Sequence, residues 1–290
     1  MDMQADRPSE DLARFPWSFF VLAYGFTWLV LLPAYVTHPP AGALLAFVAV
    51  AQFGPSLAAF ALTFRSGGWP AAGRLAKRAL NFHIPAVWLV VVFVLPAAIA
   101  ATAYYLNVGL GNSAPKTPLL AQPIAIVPTF LFILLLQGPV PEEFGWRGYA
   151  LDRLQARWPA LTASVVLGVI WGAWHLPLFF LPGVSQSYMP FWGFLVMTVA
   201  LSILIAWLYN NTGRNLLVVL LFHAGVNLWS FGVFPPLDLA SGSSQSGFFI
   251  LTALYVAAAA VVTIVWGATT LSRAPHAGSK GSTRGSAAPV

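Results

Sequence analysis

The chain has 290 residues, of which 59% are hydrophobic and 8% charged, with a formal charge of +6 and a mean hydropathy of +0.77. Soluble globular domains carry about 25% charged residues. The composition therefore excludes a soluble enzyme, a disordered protein and a nucleic-acid-binding domain, and leaves a polytopic membrane protein. The chain has no cysteine, which excludes disulfides, thiol catalysis and cysteine-bound metal.

Residues 1–15 are polar, with Asp2, Asp6, Glu10 and Asp11, and lack the basic n-region of a cleavable signal. They read as a cytoplasmic N-terminal segment. A helix needs about 20 apolar residues to cross about 30 Å of hydrocarbon. Eight such spans follow, near 16–36, 42–64, 84–106, 121–141, 160–181, 189–209, 215–234 and 247–270. The expectation is an all-α transmembrane bundle with no soluble domain and no internal repeat. Residues 16–120 would form N-terminal helices, 121–234 a catalytic-type core and 235–271 the last span. The Gly/Ser/Ala-rich residues 272–290 would be a disordered cytoplasmic tail.

With the N-terminus inside, thirteen of the fourteen Lys and Arg residues fall on the cytoplasmic side, and only Lys116 falls outside. This asymmetry is what the positive-inside rule expects of an N-in, C-in protein. It also explains the basic charge without a nucleic-acid partner. The run Arg65, Arg74, Lys77 and Arg78 reads as an anchor on anionic lipid, and the expected membrane is the plasma membrane.

Ionisable groups within a bilayer are costly and functional by default. Glu142 and Glu143 end a long apolar run, and His175 and His223 lie within apolar spans. The fourth span holds Pro123, Pro128, Pro139 and Pro141, and must break at Gly138–Pro141, since 119–157 is too long for one crossing. A broken helix at membrane depth is tolerated where it lines a polar cavity. If the chain turns at Trp158-Pro159, Glu142 and His175 each lie about 24 Å along their helices from that turn. From Arg214, His223 lies about 14 Å and Asn227 about 20 Å along the seventh span. The polar groups can therefore meet at one depth, expected in the cytoplasmic half with the site opening toward the cytoplasm. Glu143 and Arg147 are four apart and can pair, leaving Glu142 free to face the cavity. His223 and Asn227, also four apart, share a helix face. Trp146, Trp171 and Trp174 read as packing or interface aromatics.

Glu142-Glu143-Phe-Gly-Trp-Arg147 fits EExxxR, Trp171-Gly-Ala-Trp-His175 fits aromatic-xxx-His, and His223-Ala-Gly-Val-Asn227 fits HxxxN. In this order they resemble the CAAX protease and bacteriocin-processing family, intramembrane endopeptidases related to the type II CAAX prenyl proteases. The resemblance covers about Pro123 to Trp229, and Trp171 stands where the family pattern often has Phe. It implies cleavage of a membrane-anchored protein or peptide. By that resemblance Glu142, His175 and His223 are catalytic, Asn227 assists, and Glu143 and Arg147 support them. Glu142 suits a general base, and His223 with Asn227 suits an oxyanion donor pair. No cofactor is expected, although Glu142, His175 and His223 also form a trio that could hold a divalent metal such as zinc. Two other classes stay open: a non-proteolytic scaffold or immunity protein of the same fold, and a transporter using the buried acids and histidines as a proton relay.

Overall fold

The computed structural model describes residues 15–237 and 245–273. Most of the N-terminal segment, Asp238 and nearly all of the tail lie outside the described residues. The described chain is all-α. Eight helices or helix pairs are long and apolar enough to cross a membrane. Their outward faces carry side chains such as Val36 at 80% exposure and Ile264 at 82%, which suits lipid and not water. The chain is an integral, multi-pass membrane protein.

Four spans are single helices close to the expected positions: α1, Trp17–Thr37; α4, Ala86–Gly109; α8, Phe191–Asn211; and α10, Ser246–Trp266. The second span differs from the expectation. It comprises α2, Ala41–Ala51, and α3, Gly54–Lys77. Thr27 Oγ1 of α1 donates to the Ala51 carbonyl at 2.7 Å, where the helix is interrupted. That bond satisfies a backbone acceptor which lipid could not.

The fourth span breaks where expected. Helix α5, Ile126–Leu136, ends before Gly138, and α6, Pro139–Gly145, starts after it. Gly138 has φ +113°, a conformation glycine adopts without strain. Pro139 then occupies the first position of α6, where a missing N–H costs nothing. A π-helical turn follows at Trp146–Leu151 and an α-turn at Asp152–Gln155.

The fifth span is α7, Ala160–Trp174, and the seventh is α9, Leu216–Asn227, extended by a π-helical turn at Leu228–Val233. Such π-turns recur at functional sites. Helix α7 packs closely on α8 because Gly168 and Gly172 are four residues apart. A Cβ at Gly168 would stand 2.6 Å from Val199 Cα. Small residues at that spacing let two membrane helices approach and gain dispersion contact, the main attraction available in lipid.

Two ends of the bundle can be distinguished. At one, Phe15 meets Trp158 with ring centroids 6.0 Å apart, and Ala160 N donates to Thr269 O at 2.8 Å. Asp152 pairs there with Arg78 at 3.3 Å and Arg214 at 3.4 Å. Arg78 also donates to Gly148 O at 2.8 Å and to the Tyr209 hydroxyl. Arg78 is thus a strut between α3 and the segment after α6, a correction to its reading as part of a lipid anchor. At the other end, the Tyr35 hydroxyl donates to Pro177 O, so the C-terminal ends of α1 and α7 meet.

Candidate active site

Helix α6 carries the paired acids into the bundle. It packs on α3 and α9, and Ser56 Oγ of α3 donates to Val140 O at 2.9 Å. Glu142, Glu143, Arg147 and His223 are all at least 95% buried. Adjacent residues on a helix point about 100° apart, and the two acids accordingly face different surroundings.

Glu143 faces away from the cavity. Arg147 Nη1 donates to both of its carboxylate oxygens, at 2.9 and 3.0 Å. His223 Nδ1 donates to Glu143 Oε1 at 2.7 Å. The expected pairing with Arg147 is therefore present, and Glu143 also orients His223. A carboxylate on one imidazole nitrogen fixes the tautomer, so Nε2 of neutral His223 carries a lone pair. Arg147 lies 4.6 Å from the Trp171 ring centroid. It does not line the cavity.

Glu142 faces the cavity. Its Oε2 accepts from Trp171 Nε1 at 2.6 Å and from Trp146 Nε1 at 3.2 Å. These indoles were expected to act only in packing. The sequence offered one usable signal: Trp146 is four residues after Glu142, so its N–H can reach back along one helix face. The Trp171 contact joins two spans and had no local signal. With Oε2 held twice, Oε1 turns toward Gly138. A Cβ on Gly138 would stand 3.3 Å from Glu142 Oε1, 3.2 Å from His223 Nε2 and 3.0 Å from Asn227 Nδ2. Three polar atoms from two elements thus converge beside the one residue that leaves the space open. Asn227 Nδ2 also donates to Gln137 O at 3.1 Å, satisfying a carbonyl freed by the helix break.

His175 lies at the end of α7 and not inside a helix as expected. Pro177 follows two residues later, and the chain continues as a 3₁₀ turn over Leu176–Phe180. Proline disfavours the helical conformation of the residue before it and supplies no N–H. His175 Nδ1 donates to Trp171 O at 2.9 Å, leaving Nε2 as an acceptor. Both imidazoles flank the Trp171 ring, His175 at 6.0 Å and His223 at 5.4 Å between centroids.

The cavity has a volume of about 910 Å³ and includes Glu142, His175, His223 and Asn227 in its wall. Helix α2, outside the stretch that carries the three motifs, supplies part of the wall through Leu44, Val48 and the following Gln52. No Lys or Arg is among the lining residues. Among the described residues, no group of three His, Cys, Asp or Glu side chains stands close enough to hold a metal ion.

From Glu142 the cavity extends to Pro39, Ala41 and Pro182–Gln186, at the end where α1 and α7 finish. The Arg78–Asp152–Arg214 cluster is at the opposite end. The cavity therefore reaches the end of the bundle opposite that cluster.

Residues 124–229 match the family model described as Rce1-like, type II CAAX prenyl endopeptidase. The chain is 32% identical over 150 residues to CAAX prenyl protease 2 of Methanococcus maripaludis, covering 48% of this chain and 54% of that relative. The chain spans about half the length of the curated relative it matches. Over the matched stretch the chain is similar to the type II CAAX endopeptidases, the family that the three motifs resemble.

Proposed function

We propose that the chain is an intramembrane endopeptidase that hydrolyses a peptide bond of a membrane-anchored protein or peptide. The observation that carries this reading is the convergence of Glu142 Oε1, His223 Nε2 and Asn227 Nδ2 within 3.0–3.3 Å of the open space at Gly138. Amide hydrolysis needs an activated water, a donor for the developing oxyanion and a proton for the leaving amine. Water is held between two acceptors, Glu142 Oε1 and His223 Nε2. Glu142 removes a proton as the water oxygen bonds to the carbonyl carbon. Asn227 keeps one amide hydrogen on Gln137 and gives the other to the oxyanion, a contribution of about 3–4 kcal/mol for one oriented donor. As the C–N bond breaks, Glu142 returns its proton to the amine nitrogen. His175 Nε2 accepts an N–H of the bound polypeptide and keeps the scissile bond beside Glu142.

The lining favours an internal bond. A terminal carboxylate would need a cationic partner, and no Lys or Arg lines the cavity. We take the reaction to be metal-independent, a reading supported by the lack of a metal-holding cluster among the described residues. The test compares the termini of membrane proteins from cells carrying the wild-type chain or Glu142→Gln, at matched expression. Defined new termini with wild type alone support the reading and name the substrate. Identical sets overturn it.

A further inference from the structure

We propose that Trp28 and Tyr35 of α1 are positioning residues for His175, acting through the backbone on either side of it. The consequence for catalysis rests on the endopeptidase reading; the placement of the imidazole does not.

The end of α7 is locally weak. Pro177 supplies no N–H to the preceding turn. Leu178 N, which would serve Trp174 O in a continuous helix, donates instead to His175 O at 2.9 Å. The carbonyl immediately before His175 therefore loses its helical donor, and an unpaired carbonyl among apolar spans is costly. Helix α1 supplies the replacement. Trp28 Nε1 donates to Trp174 O at 3.1 Å, and the Tyr35 hydroxyl donates to Pro177 O. These two carbonyls bracket His175. One turn earlier on α7, the Tyr24 hydroxyl donates to Ile170 O. Residues 24, 28 and 35 fall within about 40° of one another around a helix, so one stripe of α1 carries all three donors. Leu31, on the same stripe, is fully buried.

The imidazole depends on this backbone. His175 Nδ1 donates to Trp171 O at 2.9 Å, a bond that exists only while residue 175 keeps the helical register. That bond leaves Nε2 with its lone pair in the cavity wall. Trp28 and Tyr35 do not line the cavity, so their influence on a bound polypeptide passes through His175. Both also lie outside the stretch matched by the family model, residues 124–229.

The test uses the full chain in detergent, labelled with [15N]histidine, as wild type and as Trp28→Phe/Tyr35→Phe. The variant keeps both rings and removes both donors. His175→Gln assigns the His175 signals. In wild type His175 is expected as the single tautomer protonated at Nδ1. In the double variant its ring signals should move to those of mixed tautomers, while those of His223, held by Glu143 at 2.7 Å, stay in place. Tyr24→Phe, which removes a bond to a carbonyl inside the regular helix, should leave His175 unchanged. Turnover measured on the same preparations should show kcat/KM lower by about 10²-fold in the double variant, as for a reacting group displaced by about 1 Å. Unchanged His175 signals overturn the proposal. So does an equal movement of His223, or an equal effect of Tyr24→Phe, since either would mark a general loosening of the bundle. Wild-type kcat/KM in the double variant also overturns it. Trp28→Phe alone carries the same comparison if the double variant does not fold. The ring signals are independent of turnover, so a chain that cleaves nothing but shows the expected shift defeats the endopeptidase reading and leaves the placement of His175 standing.

Discussion

Trp171 Nε1 donates to Glu142 Oε2 at 2.6 Å, across two spans and at full burial. Together with the 3.2 Å bond from Trp146, this holds one carboxylate oxygen and leaves the other toward His223 and Asn227. The consequence is a prediction for Trp171→Phe, which keeps a ring and removes the N–H. A hydrogen bond to a charged group contributes about 1.5–3 kcal/mol, which corresponds to a fall in kcat of about 10–150-fold. KM should be nearly unchanged, because the indole acts on Glu142 and not on the substrate. Trp146→Phe should cost less, in keeping with its longer bond. Equal losses in kcat for both variants, or a change confined to KM, would refute the positioning role.

The two adjacent acids should fail differently. Glu142→Gln should remove the base and lower kcat by about 10²–10⁴-fold, with the folded protein retained. Glu143→Ala should instead lower stability. Among the described residues, Glu143 supplies the hydrogen-bond acceptors of buried Arg147, whose Nε and Nη2 have no partner. Removing one member of a buried ion pair costs about 3–5 kcal/mol. Thermal unfolding in detergent, followed in parallel with activity, separates the two outcomes. A Glu143→Ala protein that melts with wild type would show that the pair is dispensable to the fold.

The span pattern was legible because each crossing needs about 20 apolar residues, and the Glu143–Arg147 pair because four residues is one helical turn. The break at Gly138–Pro141 was legible from glycine and proline together. The end of α7 at Trp174 also had a local signal in Pro177, which the expectation of a continuous span overrode. Other features had no local signal at all. The Trp171–Glu142 bond, the Arg78–Tyr209 strut and the wall supplied by α2 join residues far apart in sequence. They depend on how the helices pack, and in lipid that packing follows small-residue faces such as Gly168 and Gly172 more than hydrophobic periodicity.

Gly138 shapes the proposed site in two ways. Its φ of +113° lies where a residue with a Cβ is strained. That Cβ would also enter the space shared by Glu142 Oε1, His223 Nε2 and Asn227 Nδ2, at 3.0–3.3 Å from each. Gly138→Ala should therefore displace the attacking water and reduce kcat by about 10²-fold or more, since misplacement by about 1 Å costs that much. The backbone strain should add a loss of about 1–3 kcal/mol in stability. Single-turnover rates and melting curves on one preparation check both effects, and a Gly138→Ala enzyme with wild-type kcat would refute the placement of the water.

Metal dependence tests the roles of the two imidazoles. His175 and His223 each spend Nδ1 on an acceptor, Trp171 O at 2.9 Å and Glu143 Oε1 at 2.7 Å, and each keeps a lone pair on Nε2. Such imidazoles can hold water or a metal, since a second hydrogen bond of this kind also orients metal-bound histidines. The proposal of a water-holding role rests on the separation of the groups. Zinc draws nitrogen and oxygen ligands to about 2.0–2.2 Å, whereas the described His and acidic side chains form no cluster of three that could close on an ion. The expected outcome is less than about one tenth of a zinc per chain by elemental analysis, and unchanged turnover after prolonged chelation. Stoichiometric zinc, with activity lost to chelation and restored by the ion, would reassign Glu142, His175 and His223 as its ligands.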